Sequence, residues 1–295
     1  MQFETVAQAL DWAKQAFTEA NLFYGHGTDN AWGDAVALTL HALHLPNDAS
    51  KDVLQRSLSR TESEQLLNLF NRRIKERIPV PYLTHQAWFC GLPFYVDERV
   101  LIPRSPLAEL IMQQFSPWID AARVERILDL CSGSACIAIA CAYAFPEATI
   151  DALEFSTAAI DVAKINVQQH QFGSRIQLLQ SDVFSALDEQ RYDIIISNPP
   201  YVDANDFAEM PAEFQREPAL ALASGKDGLE ITRKILAQAA GYLTTQGILI
   251  VEVGNSAEAL IAAFPELPFT WLEFVNGGTG VFLLTKLQLD AYFSH

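Results

Sequence analysis

The 295-residue chain is 50% hydrophobic and 19% charged, with a formal net charge of −16 and a pI near 4.7. This composition supports a large core and excludes disorder, and the acidic balance argues against broad binding to a phosphate backbone. No apolar run reaches the ~18 residues of a membrane span. Met1-Gln2-Phe3-Glu4 lacks the basic and apolar regions of a signal peptide, so a cytoplasmic protein is expected. The length leaves room for two domains. Cys90, Cys131, Cys136 and Cys141 form no Cys-x-x-Cys pair and read as reduced, buried thiols.

Apolar residues at Phe3, Val6, Ala7, Leu10 and Phe17 recur at helical spacing. Gly25 to Asn30 breaks that helix, and a second runs from Ala31 to Leu45. A third is predicted over Thr61 to Ile78, with Thr61 and Glu64 as a capping box and Leu66, Leu67, Phe70 and Ile74 on one face. His41 and His44 lie three apart, but a metal site needs further ligands that the neighbourhood lacks. Residues 1–80 therefore read as a helical domain, suited to substrate recognition. Residues 81–104 read as a linker carrying a hairpin, with Trp88-Phe89-Cys90 and Phe94-Tyr95-Val96 joined through Gly91-Leu92-Pro93. Ser105 as N-cap and Pro106 at the first position predict a helix to about Ile119. Arg104 and Glu109 near its start are either surface charges or contacts to substrate or cofactor.

From Arg126 onward strands and helices alternate, which predicts an α/β fold with a doubly wound, mostly parallel sheet over residues 105–295. The expected strands are Ile127–Leu130, Thr149–Leu153, Ile176–Leu179, Tyr192–Ser197 and Gly247–Val253. Helices are expected over Cys136–Phe145, from Ser156 to Gly173, over Gly228–Leu243 and over Ser256–Phe264. Phe269–Val275 and Val281–Thr285 read as a closing antiparallel hairpin, which brings the sheet to seven strands.

The stretch Asn198-Pro199-Pro200-Tyr201 follows the strand Tyr192–Ser197, with Ile194, Ile195 and Ile196 at its centre. Proline cannot donate to a sheet ladder, so the strand stops there. The result is a stiff turn at a strand's carboxyl end, where open α/β sheets bind ligands. An amide or amino nitrogen is a poor nucleophile because its lone pair is delocalised. The Asn198 carboxamide oxygen and the Pro199 carbonyl can each accept one N–H of such a group, with Tyr201 packing on its flat face. Catalysis then rests on positioning and electrostatic preorganisation, with no strong base.

The loop Cys131-Ser132-Gly133-Ser134-Ala135 follows the first strand of the sheet. Aligned on Gly133, a Gly-x-Gly-x-x-Gly fingerprint would need glycine where Cys131 and Cys136 stand, so nicotinamide dinucleotides are disfavoured. One glycine still allows close approach by a smaller ligand. Glu154 lies 21 residues after Gly133, near the spacing at which an acid holds a ribose diol. Asp182 is placed to accept from an adenine amino group. The three together describe an adenosine site without phosphates, and S-adenosylmethionine fits it. Asp129 and Asp182 also read as turn residues, and Glu154 as a helix-start charge.

Leu128-Asp129-Leu130-Cys131-Ser132-Gly133-Ser134-Ala135-Cys136-Ile137-Ala138 resembles motif one of class I (Rossmann-like) S-adenosylmethionine-dependent methyltransferases. Asn198-Pro199-Pro200-Tyr201 resembles their amino-methylating signature. The run Phe94 to Glu109, with Pro103-Arg104-Ser105-Pro106-Leu107-Ala108-Glu109 at its end, resembles the ribosomal-protein branch of the glutamine methyltransferases. The release-factor branch usually carries Pro-Arg-Pro-Asp-Thr-Glu there. The resemblance implies methylation of a glutamine side-chain amide at N5 in the third protein of the large ribosomal subunit. It assigns Cys131, Ser132, Gly133, Ser134 and Ala135 to the cofactor's methionine end and Glu154 to the ribose, and counts Asp129 and Asn198 among the cofactor-binding residues. Asp182 and Val183 would border the adenine, and Asn198, Pro199, Pro200 and Tyr201 would clamp the amide. Ala135 replaces a usual glycine, and Glu154 replaces the commoner Asp. Release-factor methylation, or adenine amino methylation on nucleic acid, are the alternatives; the Ser105-Pro106-Leu107 segment opposes the first and the pI the second.

Charge is uneven along the chain. Lys51 to Arg77 holds seven basic residues against four acidic, and Asp203 to Glu230 holds seven acidic against two basic. The second stretch suits a basic polypeptide partner. The first suggests a touch on ribosomal RNA in an assembly intermediate, through Arg72 and Arg73.

Overall fold

The computed structural model describes residues 2–293, which fall into two compact units. The first comprises Met1–Ala87, Val96–Glu98 and Pro211–Arg216. Its helices are α1 (Val6–Glu19), α2 (Ala31–Ala42), α3 (Arg60–Lys75) and the short α4 (Val80–Thr84). Thr5 and Asn30 cap the first two with their side chains. Phe17, Leu38, Leu66 and Phe70 are fully buried in the core between them, and Phe70 meets Phe3 and Phe17 edge-on.

Two expectations for this region are corrected. The capping box of α3 is Ser59 with Glu62, not Thr61 with Glu64. Glu62 accepts from the Ser59 N–H at 2.8 Å, whereas Glu64 is drawn one turn back to Arg60. Arg73 is not a surface charge. Its side chain is 2% exposed and donates to Asp34 at 2.7 Å, to Glu213 at 3.3 Å and to the Phe23 carbonyl at 2.7 Å. Only Arg72 of that pair stays at the surface.

The second unit comprises Trp88–Tyr95, Arg99–Met210 and Glu217–His295. Its hairpin, β1 (Ala87–Phe89) with β2 (Leu92–Phe94), turns at Cys90-Gly91 rather than at Gly91-Leu92-Pro93. Both turn residues have positive φ, 50° and 73°, the two-residue geometry that matches strand twist. Helix α5 (Leu107–Met112) stops short of Ile119. Gln114 and Phe115 turn to positive φ, and Pro117 disfavours helix at Ser116.

The main sheet contains β3 (Arg126–Leu130), β4 (Thr149–Glu154), β5 (Ile176–Gln180), β6 (Tyr192–Ser197), β7 (Leu243–Glu252), β8 (Thr270–Trp271) and β9 (Val281–Thr285). Their spatial order is β5-β4-β3-β6-β7-β9-β8. Pairing is parallel through β7 and antiparallel for β9 and β8. Alternation along the strands feeds two cores. Ile127, Ile194, Ile196, Ile248 and Ile250 meet the side carrying α6 (Cys136–Ala144) and α7 (Thr157–Gln169). Leu128, Leu130, Ile195, Leu249 and Val251 meet the side carrying α9 (Glu230–Tyr242), α10 (Ala257–Ala263) and α11 (Lys286–Phe293). The sheet is thus covered on both faces, which explains strands that read as continuous apolar runs.

Strand β7 begins at Leu243, four residues before its expected start, because Leu243 pairs with Tyr192 across a bulge. The hairpin strand expected over Phe269–Val275 shrinks to β8, two residues long. Helices α4, α8 (Ala204–Glu209) and α11 have no counterpart among the expected elements. Among the described residues, no helix is long and apolar enough to cross a membrane. All four cysteines are free, and burial pushes the Cys90 thiol up to about 11 and the Cys136 thiol up to about 12.

Candidate active site

A cavity of about 330 Å³ opens at the carboxyl ends of β3, β4 and β6, a volume at the lower end of the range for small-molecule sites. Its wall includes Cys131, Gly133, Glu154, Asp182, Val183 and Asn198. Order reverses in the sheet at β3, flanked by β4 and β6, and such switch points are where α/β sheets leave room for a ligand.

The loop after β3 is shaped by left-handed backbone. Cys131, Gly133 and Ala135 have φ of 58°, 55° and 63°. A Cβ placed on Gly133 would meet nothing within 4 Å, so the bare backbone faces open space rather than a packed wall. Ala135 is strained, since a side chain at left-handed φ costs roughly 1–2 kcal/mol. Val183 also has positive φ, at 50°, which is a genuine outlier for a β-branched residue. Strain of this kind collects at ligand sites.

Glu154 joins the first two loops. One carboxylate oxygen accepts from the Gly133 N–H and the other from the Ser156 N–H, each at 2.8 Å. Each oxygen keeps a second lone pair for a ligand hydroxyl. Burial pushes its pKa up, against the pull of those N–H groups. Asp182 receives Lys234 on both oxygens at 3.1 Å. Both side chains are about half exposed, so this is a weak pair that a ligand amine can displace.

Asp129 takes a different place from the one expected from sequence. It is fully buried under the loop and accepts from the Ala138 N–H at the start of α6 at 3.1 Å. Burial pushes its pKa up to about 7. Ser132, Ser134 and Ala135 are likewise buried and lie outside the cavity wall. The missed partner is Asn166, fully buried, which donates to the Ser134 and Tyr95 carbonyls at 2.9 and 3.0 Å and accepts from the Tyr95 N–H at 2.7 Å. An Asn at helical spacing from the apolar Ala159, Val162 and Ala163 is the signal that could have found it.

At the end of β6, Ser197 donates to the Leu130 carbonyl at 2.8 Å, which ties that strand to β3 just before the two prolines. Asn198 is half-buried on the cavity wall, and among the described residues no group hydrogen-bonds its side chain. Pro200 shares the wall with it, while Pro199 and Tyr201 lie outside it. Arg104 pairs with the buried Glu217 at 2.7 Å. Glu109 accepts from the Val275 and Asn276 N–H groups. Both are thus occupied by the protein's own groups.

Residues 108–225 match the family model described as Methyltransferase small domain. The chain is 49% identical over 289 residues to the ribosomal protein uL3 glutamine methyltransferase of Neisseria gonorrhoeae, covering 98% of this chain and 96% of that one. The enzyme of the same name from Neisseria meningitidis serogroup A is also 49% identical, over 98% of this chain and 95% of its own. Among solved structures, the hMettl16 catalytic domain in complex with a MAT2A 3′UTR hairpin is similar at 17% identity and a TM-score of 0.53, covering 84% of this chain and 91% of that one. That last likeness concerns the fold. With half the residues shared along nearly its whole length, this chain belongs to the ribosomal protein uL3 glutamine methyltransferase family.

Proposed function

We propose that this chain transfers a methyl group from S-adenosylmethionine to the side-chain amide nitrogen, N5, of a glutamine in ribosomal protein uL3. The observation that carries the reading is the unengaged carboxamide of Asn198 on the cavity wall, at the stiff end of β6. A half-buried amide that meets no partner among the described residues, beside a single-residue glycine cradle, is arranged for a ligand. The cavity's other groups fit the donor. Gly133 offers open backbone, Glu154 retains two acceptor positions for a ribose diol, and Asp182 can release Lys234 for an amino group.

When bound, the cofactor supplies an electrophilic methyl on a sulfonium. The chain's own residues do the rest by placement. Asn198 accepts one amide N–H through its side-chain oxygen, and the Pro199 carbonyl accepts the other. Held this way, the nitrogen directs its lone pair at the methyl carbon. Gly133, Glu154 and Asp182 would hold S-adenosylmethionine, which supplies the methyl and takes up the C–S electron pair as a thioether, while Asn198 and Pro199 hold the nitrogen that gains the methyl and its surplus proton passes to solvent. Preorganised acceptors of this kind act without a base.

The helical unit is assigned to substrate recognition. It exposes Phe23 and Trp32 at 43% and 41%, the aromatic type enriched in protein interfaces. A ribosomal-protein substrate supports a cytoplasmic reaction. The net charge of −16 disfavours a nucleic-acid substrate.

The test is incubation of the purified chain with uL3 and S-adenosylmethionine, read by mass spectrometry of uL3 peptides. One added methyl on a glutamine is expected. The Asn198→Ala variant should bind the cofactor and transfer nothing; wild-type turnover in that variant defeats the clamp.

A further inference from the structure

One buried carboxylate beside the clamp has no part in the reaction as written. Glu252 ends β7, one residue beyond Val251, which pairs in register with Ser197 at the end of β6. It is 4% exposed. Each of its oxygens is held by a hydroxyl: Tyr201 donates to Oε1 at 3.0 Å and Ser105 donates to Oε2. Among the described residues no ammonium or guanidinium bonds to it, because the nearby Arg104 is committed to Glu217. Burial pushes its pKa up, against those two hydroxyls and the Arg104 charge.

Tyr201 is held on its other sides as closely. Ser256 donates to its carbonyl at 2.7 Å. A Cβ on Gly254 would come within 2.5 Å of its ring, and one on Gly228 within 2.1 Å of its carbonyl oxygen. Those two positions must therefore stay glycine for the tyrosine to sit where it does. Tyr201 lies outside the cavity wall, whereas Asn198 and Pro200 lie on it. These contacts hold the ring against Gly254 and Glu252 behind the turn.

We propose that Glu252 is a positioning residue of the amide clamp: it holds the Tyr201 hydroxyl, with Ser105 as second donor, and so fixes the direction in which Asn198 and Pro199 meet the substrate amide. The inference rests on the function proposed above. A carboxylate suits the task because hydrogen bonds to a charged acceptor are about twice as strong as neutral ones. Its two oxygens also pin three separate segments at one point: the end of β7, the turn after β6 and the approach to α5. Glu252 does not line the cavity, so it does not touch the reacting nitrogen.

The experiment compares Glu252→Ala, Glu252→Gln, Tyr201→Phe and the Glu252→Gln/Tyr201→Phe double variant on uL3. It reads kcat, KM for uL3, S-adenosylmethionine affinity and the unfolding midpoint. Tyr201→Phe is expected to lower kcat about tenfold or more, which corresponds to about 1.4 kcal/mol, with cofactor affinity and KM within about twofold. Glu252→Gln keeps an acceptor for the tyrosine and should retain more activity than Glu252→Ala. The double variant should be no worse than its poorer parent, since both act through one bond. If Glu252→Ala fails to fold, Glu252→Gln and Tyr201→Phe decide alone. Unchanged kcat in Tyr201→Phe, additive losses in the double variant, or losses that follow cofactor affinity would overturn the proposal. Should Asn198→Ala still turn over, the clamp itself is wrong; should Asn198→Ala be dead while Tyr201→Phe and Glu252→Gln are normal, only this inference is wrong.

Discussion

Buried carboxylates are met in opposite ways in the Arg73 cluster of the helical unit and around the cavity, while elsewhere in the sheet unit Glu217 and Asp151 do pair with Arg104 and Arg126. In the helical unit, Asp34 and Glu213 are each 2% exposed and both bind the guanidinium of Arg73. Arg77 adds a second cation to Glu213 at 3.2 Å. Around the cavity, Asp129, Glu154 and Glu252 are met by N–H and O–H donors and, among the described residues, by no cation. The consequence is electrostatic. Burial alone would raise Glu213, but the Phe23 N–H, Arg77 and the Arg73 charge outweigh it and hold the pKa low. Donors without cations do not outweigh burial, so Asp129, Glu154 and Glu252 are all raised. Charge matched by charge makes a lock. Carboxylates left partly unmet by charge keep acceptor capacity near the ligand cavity.

Breaking the lock should give the largest effect. Arg73→Ala leaves the buried Asp34 without its cation and Glu213 with Arg77 alone, a loss of about 3–5 kcal/mol when one partner of a buried pair is removed. Urea unfolding of the full chain reads it. A loss under ~1 kcal/mol would mean that water reaches Asp34 and Glu213 freely, and the contrast with the cavity would vanish.

The contrast also predicts opposite pH slopes. Asp129 has a folded pKa of about 7 against an ordinary 3.8. Its contribution is fully present below the unfolded value and is lost as pH rises through the folded one, an effect of a few kcal/mol over that window. Asp129→Asn keeps an acceptor for Ala138 and should flatten this loss. Glu213 has a depressed pKa, so its contribution is present above its unfolded value and is lost as pH falls through the folded one. Glu213→Gln should flatten the acid side alone. Unfolding midpoints measured from acid to neutral pH separate the two, and a single slope shared by both variants would refute the distinction.

A smaller effect is expected in the cavity loop. Ala135 is fully buried with φ of 63°. Ala135→Gly relieves the left-handed backbone, worth roughly 1–2 kcal/mol, but adds unfolded-state freedom worth about 0.4–1 kcal/mol. A net gain of up to ~1 kcal/mol in unfolding free energy is expected. Destabilisation would show that the buried methyl outweighs the strain.

What is legible in the sequence follows from local rules. The paired prolines after the isoleucine run mark the end of β6, and glycine in a short loop marks the turn after β3. What is not legible depends on distant partners. Arg73 sits in a basic run, and its partners Asp34 and Glu213 lie 39 and 140 residues away. Tyr201 reads as a ligand-facing ring because Glu252 is 51 residues on and Ser105 lies 147 residues before Glu252. Asp129 reads as a cofactor contact because it stands two residues before the loop, yet its bond runs inward to Ala138. The position of Asn198 on the cavity wall is foreseeable from the prolines alone, since the turn's direction is set within four residues.

The smallest expected change in stability, and the sharpest question about partners, belongs to Arg72. It pairs with Glu76 at 3.7 Å on an exposed face of α3, an interaction worth a few tenths of a kcal/mol. Arg72→Glu should therefore leave unfolding nearly unchanged, unlike a change at its buried neighbour Arg73. If this face touches ribosomal RNA, the variant should methylate free uL3 normally and uL3 in assembling particles more slowly. Removing one arginine–phosphate pairing should also lower the salt dependence on particles by about one unit of slope. Equal rates on both substrates, at every salt concentration, would leave α3 without an RNA-binding role at Arg72.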